Sequence, residues 1–277
     1  MENYSVLTTV YGKEDPSFLR ASIESMLAQS MPTNDYVIVK DGPLNDALDR
    51  VLEEYTQQYD FFNIVALEEN VGLGAALRAG LSACKNDLVA RLDSDDISLP
   101  NRCECQLMAF DADKDLVIVG TDMYEFNSDP DEIIAVKIMP HTPEELYRYG
   151  KRRNAFNHSS VMYRKSVIEA HGSYSTMRRS QDVELFSKIL FHNCKCINLD
   201  QPLIKFRCGD TRVKRKKSWR NVRSDLRIFW GVHKMGYSSF IDYVYVLVIQ
   251  LGFYLLPEKM AGYLYRKLFR TSSKKAD

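Results

Sequence analysis

The chain predicts an α/β fold, a largely parallel sheet wrapped by helices. Two observations point there. Between residues 4 and 119, short apolar runs alternate with segments of helical spacing, at intervals too short for anything but βα units. The 277 residues, 45% hydrophobic and 27% charged, also suffice for one large core or two smaller ones.

Residues 4–10 (Tyr-Ser-Val-Leu-Thr-Thr-Val) read as a buried first strand. Phe18, Ile23, Met26 and Leu27 recur at helical spacing over 17–29, with Pro32 just beyond. A second strand covers 36–39 and ends at Asp41-Gly42-Pro43. A helix over 45–59, a strand over 62–67, a helix over 72–84 and a strand over 88–92 follow. A helix over 100–110 and a strand over 116–119 complete the alternation. Right-handed crossovers would then place the C-terminal ends of the parallel strands on one edge, so that Asp41 and Asp93 share a crevice. Beyond 120 the pattern fades. Strands are expected over 133–139, 159–163 and 203–206, and helices from 142, over 180–191, over 219–236, and over 239–270 with a break near Pro257.

The fourth strand runs into Asp93-Ser94-Asp95-Asp96. Three carboxylates in four residues repel one another, and hard cations such as Mg²⁺ or Mn²⁺ prefer oxygen ligands. The alternative is an acidic surface turn that caps the following helix. Asp41 could accept the N–H of a uracil ring, or could simply form the turn before Gly42. Asn70-Val71-Gly72-Leu73-Gly74 opens a helix whose N-terminus favours anions. Its spacing fails the dinucleotide fingerprint G-x-G-x-x-G, and nothing resembles a P-loop.

The order of these pieces resembles the N-terminal half of family 2 glycosyltransferases, proteins of the GT-A fold that use nucleotide sugars. The stretch from Ser5 to Leu107 carries the likeness throughout, including Ala21-Ser22-Ile23-Glu24-Ser25-Met26-Leu27-Ala28-Gln29-Ser30. Further on, residues 157–166 (Asn-His-Ser-Ser-Val-Met-Tyr-Arg-Lys-Ser) resemble the family's acceptor-side strand. Ser180-Gln181-Asp182-Val183-Glu184-Leu185 resembles its Glu-Asp catalytic motif, with Gln181 in place of the Glu. The likeness spans about residues 4–210. It implies a GT-A catalytic domain over 1–210, with a nucleotide-sugar half (1–120) and an acceptor half (121–210). A helical extension occupies 211–277.

Carried over residue by residue, the resemblance implies that Asp41 recognises the nucleobase and Asp93 touches the ribose or a metal-bound water. Asp95 would bind the divalent metal, Mn²⁺ or Mg²⁺, and Asp96 would hold the loop or the donor sugar. Thr9, Tyr11, Asn70, Gly72 and Ser94 would complete the donor site. Asp182 would be the base that deprotonates the acceptor hydroxyl, for a direct displacement with inversion; the other reading makes it a helix N-terminal carboxylate that complements the dipole. Arg78 stands where the family often has Asn, and either contacts the donor or lies on the helix surface. His158 is either a packed histidine or a neighbour of the diphosphate or acceptor.

The net charge of zero conceals a division: residues 1–150 carry 11 Lys/Arg against 28 Asp/Glu, and residues 151–277 carry 26 against 9. An acidic half suits metal; a basic half suits phosphate or an anionic membrane surface, unless the two faces merely attract each other. The cationic run Thr211–Arg220 has no accompanying nucleic-acid module, and nucleic acid is not expected as a partner. Arg207 and its basic neighbours could instead reach the donor or acceptor diphosphate. Residues 243–256 are almost wholly apolar but too short for a membrane span, which needs roughly 20 residues. An interfacial segment is preferred to a core helix. It suits a polyprenyl-diphosphate-linked acceptor, common in the family's surface-polysaccharide branch, and a position at the inner face of the cell membrane. A homodimer is a further expectation. The six cysteines, including Cys103/Cys105 and Cys194/Cys196, lack zinc spacing and read as reduced packing residues of a cytosolic protein, and the N-terminus has no signal h-region.

The resulting expectation is an inverting transferase that moves a sugar from a nucleotide sugar, UDP favoured, to a lipid-linked saccharide. A catalytically impaired nucleotide-sugar-binding subunit is the alternative, because of Gln181. A sugar-nucleotide pyrophosphorylase would need a glycine-rich basic loop after the first strand, where Val10-Tyr11-Gly12-Lys13-Glu14-Asp15 stands instead. A phosphatase with an Asp-x-Asp nucleophile would carry that motif after its first strand, not its fourth.

Overall fold

A computed structural model describes residues 2–177, 180–208, 218–257, 260 and 271–272. The cationic residues 212–217 and residues 261–270 of the expected last helix lie outside the described residues.

Four parallel strands build the N-terminal half, β1 (Tyr4–Val10), β2 (Asp35–Lys40), β3 (Phe62–Ala66) and β4 (Leu88–Arg91), in the order β3-β2-β1-β4. Their side chains alternate between two apolar layers. Leu7, Val37, Val39 and Val89 face one layer, and Val6, Tyr36, Ile38, Leu88 and Ala90 the other, as the period of two requires. Because both faces are covered, β1, β2 and β4 are buried almost throughout rather than at alternate residues, while β3 at the edge is half-buried.

The helices α1 (Pro16–Leu27), α2 (Asp46–Gln58) and α4 (Arg102–Ala112) pack in the second layer through Leu19, Ile23, Met26, Leu48, Leu52, Leu107 and Phe110. On the first layer, α3 (Leu73–Ala83) packs through Ala76, Leu77 and Leu81. The starts of α1 and α2 are set by side-chain caps: Asp15 accepts from Ser17 N, and Asn45 from Ala47 N and Leu48 N.

Beyond β4 the sheet turns antiparallel. A two-residue strand, β5 (Ile97–Ser98), precedes β6 (Leu116–Phe126), which runs well past the residue 119 expected from sequence. It pairs antiparallel with β7 (Ile133–Lys137) and β8 (Met162–Arg164), and β8 in turn with β4. Since β6 passes through residue 120, the sheet runs unbroken across the boundary expected there from sequence. A short helix, α5 (Pro143–Gly150), opens on a Thr142/Glu145 capping box. The strand expected over 159–163 begins later: His158–Ser160 is a 3₁₀ turn. After α6 (Lys165–Ala170) and α7 (Gln181–Phe191) comes β9 (Lys195–Arg207). β9 pairs parallel with β6 through register shifts and antiparallel with β5. The strand expected over 203–206 is only its last part.

An antiparallel helix pair follows, α8 (Trp219–Lys234) and α9 (Phe240–Leu255). Ile228 and Val232 seat α8 on the first layer, and Asp242 caps α9 through Ser239 while pairing with Arg152 at 2.5 Å. Thr271–Ser272 adds an edge strand, β10, beside β7. Among the described residues no helix is long and apolar enough to cross a membrane. All six cysteines are free thiols.

Candidate active site

The parallel registers align Leu7 with Arg91 and Val10 with Lys40, so β1, β2 and β4 end side by side. The loops leaving them open one cleft of about 910 Å³, a volume suited to a nucleotide-sized ligand. Thr9, Tyr11, Asp41, Asn70, Gly72, Asp93, Ser94 and Asp95 line it; Arg78, Asp96 and Arg207, also named from sequence, do not.

Asp41 is bound to its own surroundings. Its carboxylate accepts Val71 N at 2.8 Å, Gly72 N at 3.2 Å and Asn70 Nδ2 at 3.0 Å, and so ties the loop before α3 to the end of β2. Gly42 permits this approach. Its φ is +85°, and a Cβ there would lie 2.6 Å from Asn70 N and 2.9 Å from Glu69 C. Both are backbone atoms with nowhere to go. Gly42→Ala is expected to cost about 1–3 kcal/mol, read as a lower denaturation midpoint at unchanged m, because the Asn70–Gly72 loop must be displaced.

The acidic motif is built around a buried cation. Arg91, 1% exposed at the end of β4, pairs through Nη2 with Asp93 Oδ1, while its Nε and Nη1 have no hydrogen-bond partner. Ser22 Oγ donates to Asp93 O and Asp93 N donates to Ser159 Oγ, so α1 and the 3₁₀ turn clamp the motif from both sides. One carboxylate oxygen each from Asp93, Asp95 and Asp96 lies within 4.8 Å of the others. Burial and then the neighbouring Asp93 push the Asp95 carboxyl up to about 6, and burial followed by Asp95 and Asp93 pushes Glu14 up to about 7. Burial and mutual repulsion thus outweigh the opposing charges of Arg91 and Arg207. Asp96 is fully buried. Its Oδ1 accepts Arg207 N at 2.9 Å, and its Oδ2 has no partner. The oxygen donor set, its spacing and that orphaned oxygen fit a hard divalent cation.

Arg207 braces the motif from behind. Its Nε donates to Asp95 O at 3.1 Å, and its guanidinium lies 3.7 Å from the Phe18 ring centroid. Asp182 sits in the first turn of α7, where Asn154 Nδ2 donates to its Oδ2 at 2.6 Å. Burial raises its carboxyl above the ordinary range, Arg91 opposes the rise and Asp93 adds to it, so its charge is coupled to the motif. Gln181 is buried with Oε1 unpartnered, its Cγ packed where a Cβ on Gly74 would be 3.3 Å away. His158 meets Tyr174 Oη at 3.0 Å, and burial plus the Arg91 charge hold it well below the usual histidine range, hence neutral. Arg78 points the other way. It donates to Tyr174 O at 2.7 Å and Gly172 O at 3.1 Å, which fastens the loop before α7 to α3.

Sequence reasoning missed Glu14, Asn154 and the cleft-lining face of α8, where Arg220, Arg223, Ser224 and Arg227 stand. The last had a signal: 220, 224 and 227 share one face at 3.6 residues per turn. Asn154 had none, because a loop and a distant helix make its partner.

The glycosyl transferase family 2 model matches residues 5–172. Over 267 residues, 96% of each chain, the sequence is 31% identical to UDP-Gal:alpha-D-GlcNAc-diphosphoundecaprenol beta-1,3-galactosyltransferase of Escherichia coli. It is also 31% identical to the amylovoran biosynthesis glycosyltransferase AmsE of Erwinia amylovora, over 95% of this chain and 98% of that one. Among solved structures, the mannosyltransferase PcManGT of Pyrobaculum calidifontis in complex with GDP-Man and Mn²⁺ superposes with a TM-score of 0.64 at 12% identity, covering 96% of this chain and 76% of that one. S. aureus TarS 1–349 in complex with UDP-GlcNAc gives 0.62 at 14%, over 99% and 74%. Against a longer TarS chain the match spans 44% of that chain's length. The solved structures share the GT-A fold; the sequence matches make the chain a member of glycosyl transferase family 2.

Proposed function

We propose that this chain is a metal-dependent, inverting glycosyltransferase that moves a sugar from a nucleotide sugar, UDP favoured, to a saccharide on polyprenyl diphosphate during surface-polysaccharide assembly. The observation that carries it is the convergence of Asp93 and Asp95 with Asp41, Asn70 and Gly72 in one cleft at the strand ends, with Asp182 in the first turn of α7, where its neighbour Gln181 packs against Gly74 of the adjoining helix start. The donor and acceptor named for the Escherichia coli relative support the UDP sugar and the lipid diphosphate.

Asp93 and Asp95 would hold Mn²⁺ or Mg²⁺, with Asp96 behind them. When bound, the cation supplies Lewis-acid stabilisation of the leaving nucleoside diphosphate. Thr9, Tyr11, Asp41 and Asn70 form the nucleoside end of the cleft, with Gly72 at the helix start. Asp182 takes the proton of the acceptor hydroxyl as its oxygen attacks the anomeric carbon. The bond from that carbon to the diphosphate oxygen breaks on the opposite face, and the configuration inverts. Asn154 holds the carboxylate in place. A panel of nucleotide sugars tests the reading. UDP sugars should raise Tm with Mn²⁺ and lose that effect with EDTA; no shift from any nucleotide sugar sinks it.

Membrane-surface attachment belongs to the same reading. The exposed face of α9 carries Ile241 (74% exposed), Val248 (62%) and Leu255 (78%) in one helical stripe, and Arg152 and Arg153 border a groove beside Tyr245. An apolar stripe flanked by cations suits an anionic interface. Ile241→Glu with Val248→Glu should reduce co-sedimentation with phosphatidylglycerol vesicles several-fold without lowering Tm; unchanged sedimentation counts against attachment through α9.

A further inference from the structure

The cleft has two electrostatic walls. At the strand ends stand Asp93, Asp95 and Glu14; on α8 stand Arg220, Arg223 and Arg227. At 100° per residue the three arginines and Ser224 fall within an arc of about 100°, opposite the buried Val222 and Phe229. Among the described residues none of the three arginines has a carboxylate partner. The acid on their own helix, Asp225, is directed elsewhere: it accepts Ser180 Oγ at 3.0 Å and Gln250 Nε2 at 3.3 Å. The other cations of the site are engaged, Arg91 by Asp93 and Arg207 by the carbonyls of Asp95, Asn127 and Ser128.

We propose that this arginine face is a second, metal-free diphosphate subsite that holds the lipid-linked diphosphate of the acceptor. The proposal rests on the transferase reading above. A bare diphosphate is repelled by the carboxylate wall and needs a cation there. Guanidinium groups bind the same group directly, with paired N–H donors matched to phosphate oxygens. Two anions that meet in one cleft are served by two different devices, and the carboxylates already commit one device to the nucleotide.

The surroundings decide which diphosphate the arginines take. Trp219, 52% exposed, begins the arginine helix and lies 5.5 Å from the Tyr254 ring, and Leu255 beside it is 78% exposed. An exposed aromatic and aliphatic ledge therefore adjoins the Arg220 end of the face. A ligand with a diphosphate joined to an apolar chain matches both parts; a nucleoside diphosphate matches only the first.

The test uses the full-length chain and two probes. Farnesyl diphosphate is titrated in EDTA, followed by Trp fluorescence, and UDP is titrated with Mn²⁺. Arg220→Gln/Arg223→Gln/Arg227→Gln should weaken farnesyl diphosphate at least tenfold and leave UDP within twofold. The corresponding triple Lys variant should retain most of the affinity, and farnesol should bind wild type far more weakly. Unchanged farnesyl diphosphate affinity, an equal loss for UDP, or farnesol as tight as its diphosphate each overturns the proposal. If the triple variant unfolds, single Arg223→Gln and Arg227→Gln at exposed positions should each lose several-fold, and no loss in either overturns it. Failure of the transferase reading is distinct. It would appear as absent Mn²⁺-dependent UDP binding in wild type, which the EDTA titration does not involve.

Discussion

Asp182→Asn is expected to lower kcat for sugar transfer by about 10³-fold while leaving Mn²⁺-dependent UDP affinity within about twofold. Asn keeps the shape and the hydrogen bond from Asn154 but cannot accept the acceptor's proton. The donor pocket is lined by other residues, so the loss should fall on kcat and not on donor KM. The pH profile carries an independent sign. Burial raises this carboxyl, so it stays protonated and inactive at pH values where an ordinary Asp is ionised. The acid limb of kcat should therefore lie above pH 4, with activity rising as pH rises through the raised value. The same shift means that the folded state binds this proton more tightly than the unfolded state, so ionisation at neutral pH costs stability. The Asn variant should match or exceed wild-type Tm at pH 7.5. Undiminished transfer by the variant removes Asp182 as the base. A wild-type chain that binds UDP with Mn²⁺ but transfers to no lipid-linked saccharide instead favours an impaired subunit, the alternative raised by Gln181.

Much of this site was legible in the sequence because its donor wall is local. Strand ends, a glycine loop and an acidic tetrapeptide are each contiguous, and parallel βα order alone brings them to one edge. Buried parallel strands also announce themselves as short β-prone runs with no charged residue, as Tyr4–Val10 does with its Val, Leu and Thr. The second half was harder to read. Only the last residues of β9 were legible as a strand. Its middle carries Asp200-Gln201-Pro202, which reads as a turn, and it is held by β6 through irregular register. Tertiary pairing overrides weak local preference there. Arg78 shows the other limit: its position on α3 was clear, but its direction follows from the Gly172 and Tyr174 carbonyls, nearly a hundred residues away. Asp41 adds a third case. The residue was singled out for a ligand, and the structure has it fastening the loop that shapes the cleft.

Asp95→Asn should abolish Mn²⁺-dependent UDP binding, by about 10²-fold or more, and with it transfer, while making the metal-free protein more stable. The two effects share one cause. Asp93, Asp95 and Asp96 crowd their oxygens within 4.8 Å, and the Asp95 carboxyl rises to about 6 through burial first and Asp93 second. A raised carboxyl means that the folded state prefers the proton, so the cost of ionising Asp95 is absent below about pH 4, grows up to about pH 6 and is complete above it. Asn removes that cost. The Tm difference between variant and wild type, both in EDTA, should thus be near zero at pH 4 and about 2–6 °C at pH 7.5. Saturating Mn²⁺ with UDP should reverse the order, because the ligands stabilise only the chain that binds them. Asp96→Asn gives the contrast. That residue is fully buried, with Oδ1 on Arg207 N, so its replacement should disturb the β9 attachment and lower Tm, with a smaller loss of metal-dependent binding. Equal loss of UDP binding in the two variants would assign the cation to the pair, and retained binding in Asp95→Asn would take Asp95 out of the ligand set.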